Sequence, residues 1–470
     1  MSDVSRHPLH RLVEYYRDPA YFRDLFRVGI PIAFQQLIFA LLNMVGYVMI
    51  GQKGDTAIAA VGLAGQVYFL LNLVLFGIVS GAAMVTAQLW GKQDVRGIRK
   101  ALALTLWLSV GVSLIFLALA ETIPATLIGI YTSDAQVIAI GGEYLRIFAG
   151  SFVFFSITFA YGLILRSIGN VKLPMAISVA SLGLNILLSY ALIFGQLGLP
   201  ELGVLGAAWA MFISRVVECS VLLSLVYASR SPAAASMREL LTLDRRFFLR
   251  MMKPILPVTV NELLWALGIT TYNAVYGHIG TDALAAVNIA VSVDGLALVV
   301  FIGIANATSV LVGNKIGAGE EEDAYRFAGR SLGLGIGLAV LVGLGVLLLR
   351  EPVIALYRVS PQAALAASRL LTIIGLMLWV RMTNMIIIIG ILRGGGDARF
   401  SMFLDGFVIW ILGVPMALLG AFVLHLPIHW VYLMVMAEEI AKWVLGLRRY
   451  YSRRWIHDLT ALGAEADAQG

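Results

Sequence analysis

The chain has 470 residues, of which 60% are apolar while Asp, Glu, Lys and Arg together supply only 13%, about half the usual charged share. So few charges cannot cover soluble domains, and a mean hydropathy of +0.88 marks an all-α polytopic membrane protein. One cysteine (Cys219) excludes a disulfide framework, six scattered histidines show no metal-ligand spacing, and a diffuse net charge of +6 does not suit nucleic acid.

In chain order, a charged arm (1–24) with no cleavable signal pattern precedes the first apolar run. Twelve transmembrane helices are predicted over roughly 25–51, 56–90, 96–120, 136–166, 173–195, 203–228, 247–277, 282–314, 322–349, 362–393, 398–424 and 428–450. Each is long enough to cross a bilayer at about 1.5 Å per residue, and the apolar runs are continuous, which favours helices over a barrel. The loop 229–246 separates two halves, 25–228 and 247–450, and a tail (451–470) follows. Counted over the arm, the even-numbered connections and the tail, Lys and Arg number 27, against Lys53, Arg350 and Arg358 on the other side. That asymmetry places both termini and the central loop in the cytoplasm.

The halves are copies. Setting Pro31 on Pro257 aligns 31–91 with 257–317 without a gap and gives 17 identities in 61 positions. Gly51 then meets Gly277, Gly54 meets Gly280, Gly77 meets Gly303 and Gly91 meets Gly317. An offset longer by one sets Leu165-Arg166 and Gly169 on Leu392-Arg393 and Gly396. Six spans per half is an even number, so the two six-helix lobes are expected to be related by pseudo-two-fold symmetry along the membrane normal. Two such lobes around a central cleft suit alternating access, and one chain contains both, so a monomer in the lipid bilayer suffices.

Arg166 to Pro174 (RSIGNVKLP), Asn185 to Leu188 and Gly203 to Ala208 (GVLGAA), then Gly280 to Val287 (GTDALAAV), Gly313 to Gly319 (GNKIGAG) and Leu392 to Arg399 (LRGGGDAR), resemble a multidrug and toxic compound extrusion transporter over nearly all of 25–450. The resemblance implies two lobes of six helices, a V-shaped cleft, a multi-pass protein of the cell (inner) membrane, and export of organic, often cationic compounds driven by inflow of sodium or protons. It implies no cofactor beyond that coupling ion. The acidic places of the proton-coupled branch hold Gly46 and Ser189 here, and the tenth span lacks the acid usual in the sodium-coupled branch.

Ionisable groups inside the bilayer are costly and mark function or internal pairing. Glu143 with Arg146, Arg215 with Glu218, and Glu438 and Glu439 with Lys442 are close enough on single helices to neutralise one another. Arg381 and Asp405 lie at similar depth on successive helices and are expected to form a structural pair. Glu262 and Asp294 have no basic partner in their own helices and sit at similar depth, so they are the expected cation-coupling residues, with Asn261, Asn288 and Tyr272 (or Thr270 and Thr271) as candidate ligands. The alternative is that each acid is satisfied separately, for instance by Arg369. The resemblance agrees on Glu262, since the seventh-span glutamate binds the cation in the sodium-coupled branch. In the N-terminal half, Gln35, Gln36, Asn43, Gln66, Tyr68, Asn72 and Asn185 are candidate substrate-cleft residues, and the same amides suit helix packing equally.

Gly394-Gly395-Gly396-Asp397 lacks the Lys-Ser/Thr of a phosphate loop and reads as a tight turn. The expected function is thus a secondary antiporter of cationic amphipathic compounds rather than an enzyme. A lipid-linked saccharide flippase is the alternative, although its pyrophosphate would need more mid-span Arg or Lys.

Overall fold

A computed structural model describes residues 16–460, Leu243 excepted. Among them there is no strand. Twelve helical spans follow in order: α1 (Pro19–Gly51), α2 (Asp55–Gly91), α3 (Val95–Thr122), α4 (Ala135–Ala149 and Phe152–Ser167, bent by 49°), α5 (Lys172–Phe194), α6 (Val204–Ala228), α7 (Arg245–Ile279), α8 (Thr281–Gly317), α9 (Glu321–Ile354), α10 (Pro361–Arg393), α11 (Ala398–Val423) and α12 (Ile428–Tyr451). Among the described residues, ten spans are long and apolar enough to cross a membrane, counting the bent pair once. The other two, α7 with 35 residues and α12 with 24, are long enough but more polar; α12 carries Glu438, Glu439 and Lys442 in its middle.

Local sequence explains the boundaries. Asp94 caps α3 through the Gly97 amide at 2.8 Å, Ser360 caps α10 through Ala363 at 3.0 Å, and Asp397 caps α11 through Phe400 at 3.3 Å. The expected turn at Gly396 and its repeat equivalent at Gly169 are both built on positive φ, 92° and 83°, which an L-residue rarely adopts. Parts of α10 and α11 are wound as π-helix, at Ile386–Arg393, Phe403–Phe407, Ile409–Gly413 and Leu419–Val423, a distortion that concentrates at functional sites.

The chain forms two compact units. One joins the start of α1, up to Ala33, to Leu264–Asp458; the other joins Phe34–Leu263 to the tail from Leu459. This differs from the expected lobes 25–228 and 247–450 at the first halves of α1 and α7, which are exchanged. Close backbone packing is the reason. Gly29 of α1 lies on α8, where an added Cβ would stand 3.2 Å from the Gly303 carbonyl oxygen and 3.6 Å from Ala307 Cβ. In the second unit Gly77 of α2 lies against Thr259 of α7, and a Cβ at Gly81 would stand 2.7 Å from Ile255 Cα. The repeat carries Gly29, Gly77 and Gly81 onto Ile255, Gly303 and Ala307, so the same crossing occurs once per unit. Small residues let helix backbones approach, which is the main source of association where lipid is as apolar as the side chains. Phe301, Leu370, Leu371 and Leu378 are fully buried in the first unit, as are Leu71, Leu75, Leu102 and Phe152 in the second.

The central loop is ordered by polar contacts. Ser236 and Glu239 form a capping box, with the Ser236 amide donating to Glu239 at 2.6 Å, and Arg99 donates to the same carboxylate at 3.1 Å. The Ser236 amide, and then Arg99, hold the Glu239 carboxyl below its ordinary range. A depressed folded value stabilises the loop above the unfolded pKa, and the contribution fades as pH falls through the folded one. Limited proteolysis of the loop should therefore accelerate below about pH 4, and Glu239→Gln should show the acid rate already at neutral pH. Equal rates in both proteins across pH would refute this.

Candidate functional site

The first unit contains an extended polar network. Arg381 of α10 donates to both oxygens of Asp294 on α8, at 2.6 and 3.1 Å. On α12, Lys442 pairs with Glu438 one turn away and with Asp405 of α11 at 3.2 Å. The Tyr272 hydroxyl of α7 donates to Glu438. Gly413 makes room for that bond, since a Cβ there would collide with the Tyr272 oxygen and the Glu438 carboxylate. Asn384 of α10 donates to the backbone and carboxylate of Glu439 at 2.8 and 2.7 Å. Its own carbonyl oxygen is buried without a hydrogen-bond partner among the described residues.

Charge counting gives this network its character. Its carboxylates are Asp294, Asp405, Glu438 and Glu439; its cations are Arg381 and Lys442. The side chains of Glu438 and Lys442 are 4% and 3% exposed. With all groups ionised, two negative charges are in surplus where solvent screens poorly, and such a surplus draws a proton or another cation.

Several expectations change. The Arg381–Asp405 pair does not form: Arg381 goes to Asp294, and Asp405 accepts from Lys442. Asp294 therefore has a basic partner, which it lacked within its own helix. Lys442 is buried on α12. Glu262 is half-buried and belongs to the other unit, so the two expected coupling carboxylates are divided between units. Asn261 is buried, Asn288 is exposed, and Tyr272 is engaged with Glu438. Thr270 and Thr271 donate to carbonyls of their own helix at 2.8 Å. The α12 pair Glu438–Lys442 and the α6 pair Arg215–Glu218, at 2.6 Å, are both present. Glu439 with Asn384 was missed as a unit; the polar Asn384 in an apolar span was the available signal.

In the second unit, Gln35 is 2% exposed and accepts from Arg166 at 2.7 Å, so it ties helices together rather than lining a cleft. Tyr68 packs among Phe148, Phe152 and Phe155, and Arg215 lies over the Phe155 ring at 5.1 Å. Asn185 and Gln36 are half-buried and Gln66 is exposed. The side chain of Asn43 lies outside the described residues. Glu218 accepts from Ser178 at 2.8 Å and Ser181 at 3.3 Å as well as from Arg215, a satisfied and neutral arrangement.

Comparison with known proteins agrees with this architecture. The MatE family model matches twice, at residues 31–191 and 257–419, one match in each copy of the repeat. The chain is 25% identical to a probable multidrug resistance protein NorM of Thermotoga maritima, over 93% of this chain and 94% of that one. It is 30% identical to a probable multidrug resistance protein NorM of Rhizobium meliloti, over 84% and 85%. Among solved structures, a multidrug resistance MATE family transporter in an outward-facing conformation superposes with a TM-score of 0.81 at 20% identity, covering 94% of this chain and 97% of that one. A MOP superfamily transporter of Pyrococcus furiosus gives 0.79 at 21%, covering 96% and 98%. These structures share the fold, twelve transmembrane helices in two lobes. With its duplicated helical halves and both copies of the repeat matched, the chain belongs to the multidrug and toxic compound extrusion (MatE) family, and it is a multi-pass membrane transporter rather than an enzyme.

Proposed function

We propose that this chain is a secondary antiporter of the inner membrane, with cytoplasmic termini, which exports organic and mostly cationic, amphipathic compounds in exchange for protons or sodium. The observation that carries the reading is the surplus of carboxylates over cations in the network of α8, α10, α11 and α12. Substrate and coupling ion that are both cationic can alternate in neutralising such a surplus, which couples their movements by differential binding. The multidrug resistance names of its relatives support drug-like substrates. Glu262 stays among the proposed coupling residues, and Glu439 joins it. The lipid-linked saccharide alternative is weakened because Arg215 and Arg381 are already bound by Glu218 and Asp294, which leaves them ill placed to hold a pyrophosphate.

The deciding experiment is efflux of a fluorescent organic cation from proteoliposomes under separately imposed sodium and proton gradients. One gradient should drive efflux, and Glu262→Gln and Glu439→Gln should each slow it by about tenfold or more while the purified proteins remain folded. Wild-type efflux by both variants would remove these carboxylates from coupling. No efflux under either gradient would overturn the antiport reading.

A further inference from the structure

The loop that joins α6 to α7 carries a short helix, Met237–Leu241, that belongs to neither span. Five residues are too few to hold a helix by themselves, and the second unit fixes this one from behind. Ala233 and Ala235 are fully buried, and Leu240 packs into the same apolar core as Phe247 and Met251. Two residues of α3, about two turns apart along it, add polar ties. Arg99 donates to the Pro232 carbonyl at 3.3 Å as well as to Glu239, and Trp107 Nε1 donates to the Leu240 carbonyl at 2.9 Å.

Held in this way, the helix turns apolar side chains outward. Met237 and Leu241, one turn apart on a shared face, are 73% and 66% exposed, and Trp107, bonded to the same turn, is exposed as well. The start of α7 continues the surface: Arg245, Leu249, Lys253 and Leu256 recur at helical spacing and are all exposed. Charge is equally one-sided. Residues 230–253 contain six cations against Glu239 and Asp244, and Glu239 is already held by Arg99. Among the described residues no carboxylate pairs with Arg238, Arg245, Arg246 or Lys253. Exposed apolar side chains interspersed with cations, with a tryptophan among them, suit the headgroup layer of a bilayer. The unpaired guanidinium groups match phosphate, and their number favours a lipid of net negative charge. A free phosphate would meet the arginines and leave Met237 and Leu241 in water. A protein partner would have to displace lipid from the α7 stripe with which this surface is continuous.

We propose that the segment 237–253 is a membrane anchor for acidic phospholipid, in which Arg238, Arg245, Arg246 and Lys253 hold headgroup phosphates while Met237, Leu241 and Leu249 enter the acyl layer. Trp107 sets the depth, with its N–H tied to the loop and its ring at the boundary. Lys253, further along α7, reaches the headgroups by extending its stem. Lipid charge then decides how firmly the loop between α6 and α7 is held, and it does so whether or not the chain is an antiporter.

Native mass spectrometry of the purified full chain, titrated with phosphatidylglycerol and separately with phosphatidylcholine, tests the anchor. Phosphatidylglycerol should bind the wild type more tightly. Replacing three cations together, Arg238→Gln, Arg245→Gln and Arg246→Gln, should weaken it by about tenfold or more and leave phosphatidylcholine binding unchanged. Met237→Ser with Leu241→Ser should weaken phosphatidylglycerol as well. In vesicles, proteinase K should cut the loop more slowly when phosphatidylglycerol is present, and the arginine variant should abolish that protection. Should the triple variant melt below the wild type, Arg246→Gln alone is read in its place, with a loss of a few-fold. Equal affinity for the two lipids overturns the proposal, as does wild-type phosphatidylglycerol binding by the folded arginine variant. Displacement of the lipid by inorganic phosphate makes the arginines a free-anion site and overturns the anchor. Wild-type binding by the Met237 and Leu241 variant overturns it too, because the apolar face would then lie outside the bilayer.

Discussion

Arg381→Leu is expected to cost about 3–5 kcal/mol of stability, read as a steep fall in the melting temperature of the solubilised protein. The guanidinium binds both oxygens of Asp294, and Asp294 is 8% exposed. Removing the cation strands a buried carboxylate that already lies in a region of surplus negative charge. Asp294→Asn should be nearly as damaging, because it strands the guanidinium instead. The double replacement Arg381→Leu with Asp294→Leu should recover most of the loss, since an apolar pair of similar volume removes both desolvation costs. A single variant that melts like wild type would refute the buried pairing. The double variant also assigns the pair a role. Ion-driven efflux that survives in it makes the pair structural; efflux lost with folding intact makes Asp294 a coupling group after all.

That pair also shows how far the sequence could be read. Apolar runs and glycine coincidences were enough for twelve helices and a duplication, because hydropathy and backbone space are local properties. Depth along a helix was legible too, since it comes from counting residues at about 1.5 Å each, and Arg381 and Asp405 do lie in one network. Which face each residue points to was not legible. Arg381 turns toward α8 rather than α11, a choice made by the packing of three helices. Asp405 lies inside a π-helical turn. Each such turn inserts about one residue and rotates the later part of the helix by roughly 100°, so a helical wheel loses phase there. The partners of Gly77 and Gly303 were hidden for a related reason. A repeat shows that two glycines are equivalent, but not that each packs against the other copy's first helix. The N-terminal amides were ambiguous between cleft and packing, and Gln35 proved to be held by Arg166, far away in the chain.

Those glycine crossings give a prediction in which one substitution has opposite signs at two places on one helix. Gly62 and Gly77 both lie in α2, where alanine is a better helix former than glycine by about 1 kcal/mol. A Cβ at Gly62 meets nothing within 4 Å, so Gly62→Ala should raise the melting temperature slightly. A Cβ at Gly77 collides with the Thr259 backbone. Backbone cannot swing aside as a flexible side chain can, so α7 must move bodily, and Gly77→Ala should cost about 1–3 kcal/mol or more despite the propensity gain. Gly303→Ala should behave the same way in the other unit, where a Cβ would stand 2.6 Å from the Gly29 carbonyl oxygen and 3.0 Å from Ala33 Cβ. Melting curves of the three variants decide the matter. If Gly77→Ala and Gly62→Ala shift together, α2 and α7 are not in backbone contact. If Gly77→Ala destabilises while Gly303→Ala does not, the two crossings are unequal and the exchange of helix halves is a property of one repeat only. Matching losses would mean that both copies depend on the same kind of seam, and that the glycines retained at this offset are there for the helix that each must admit.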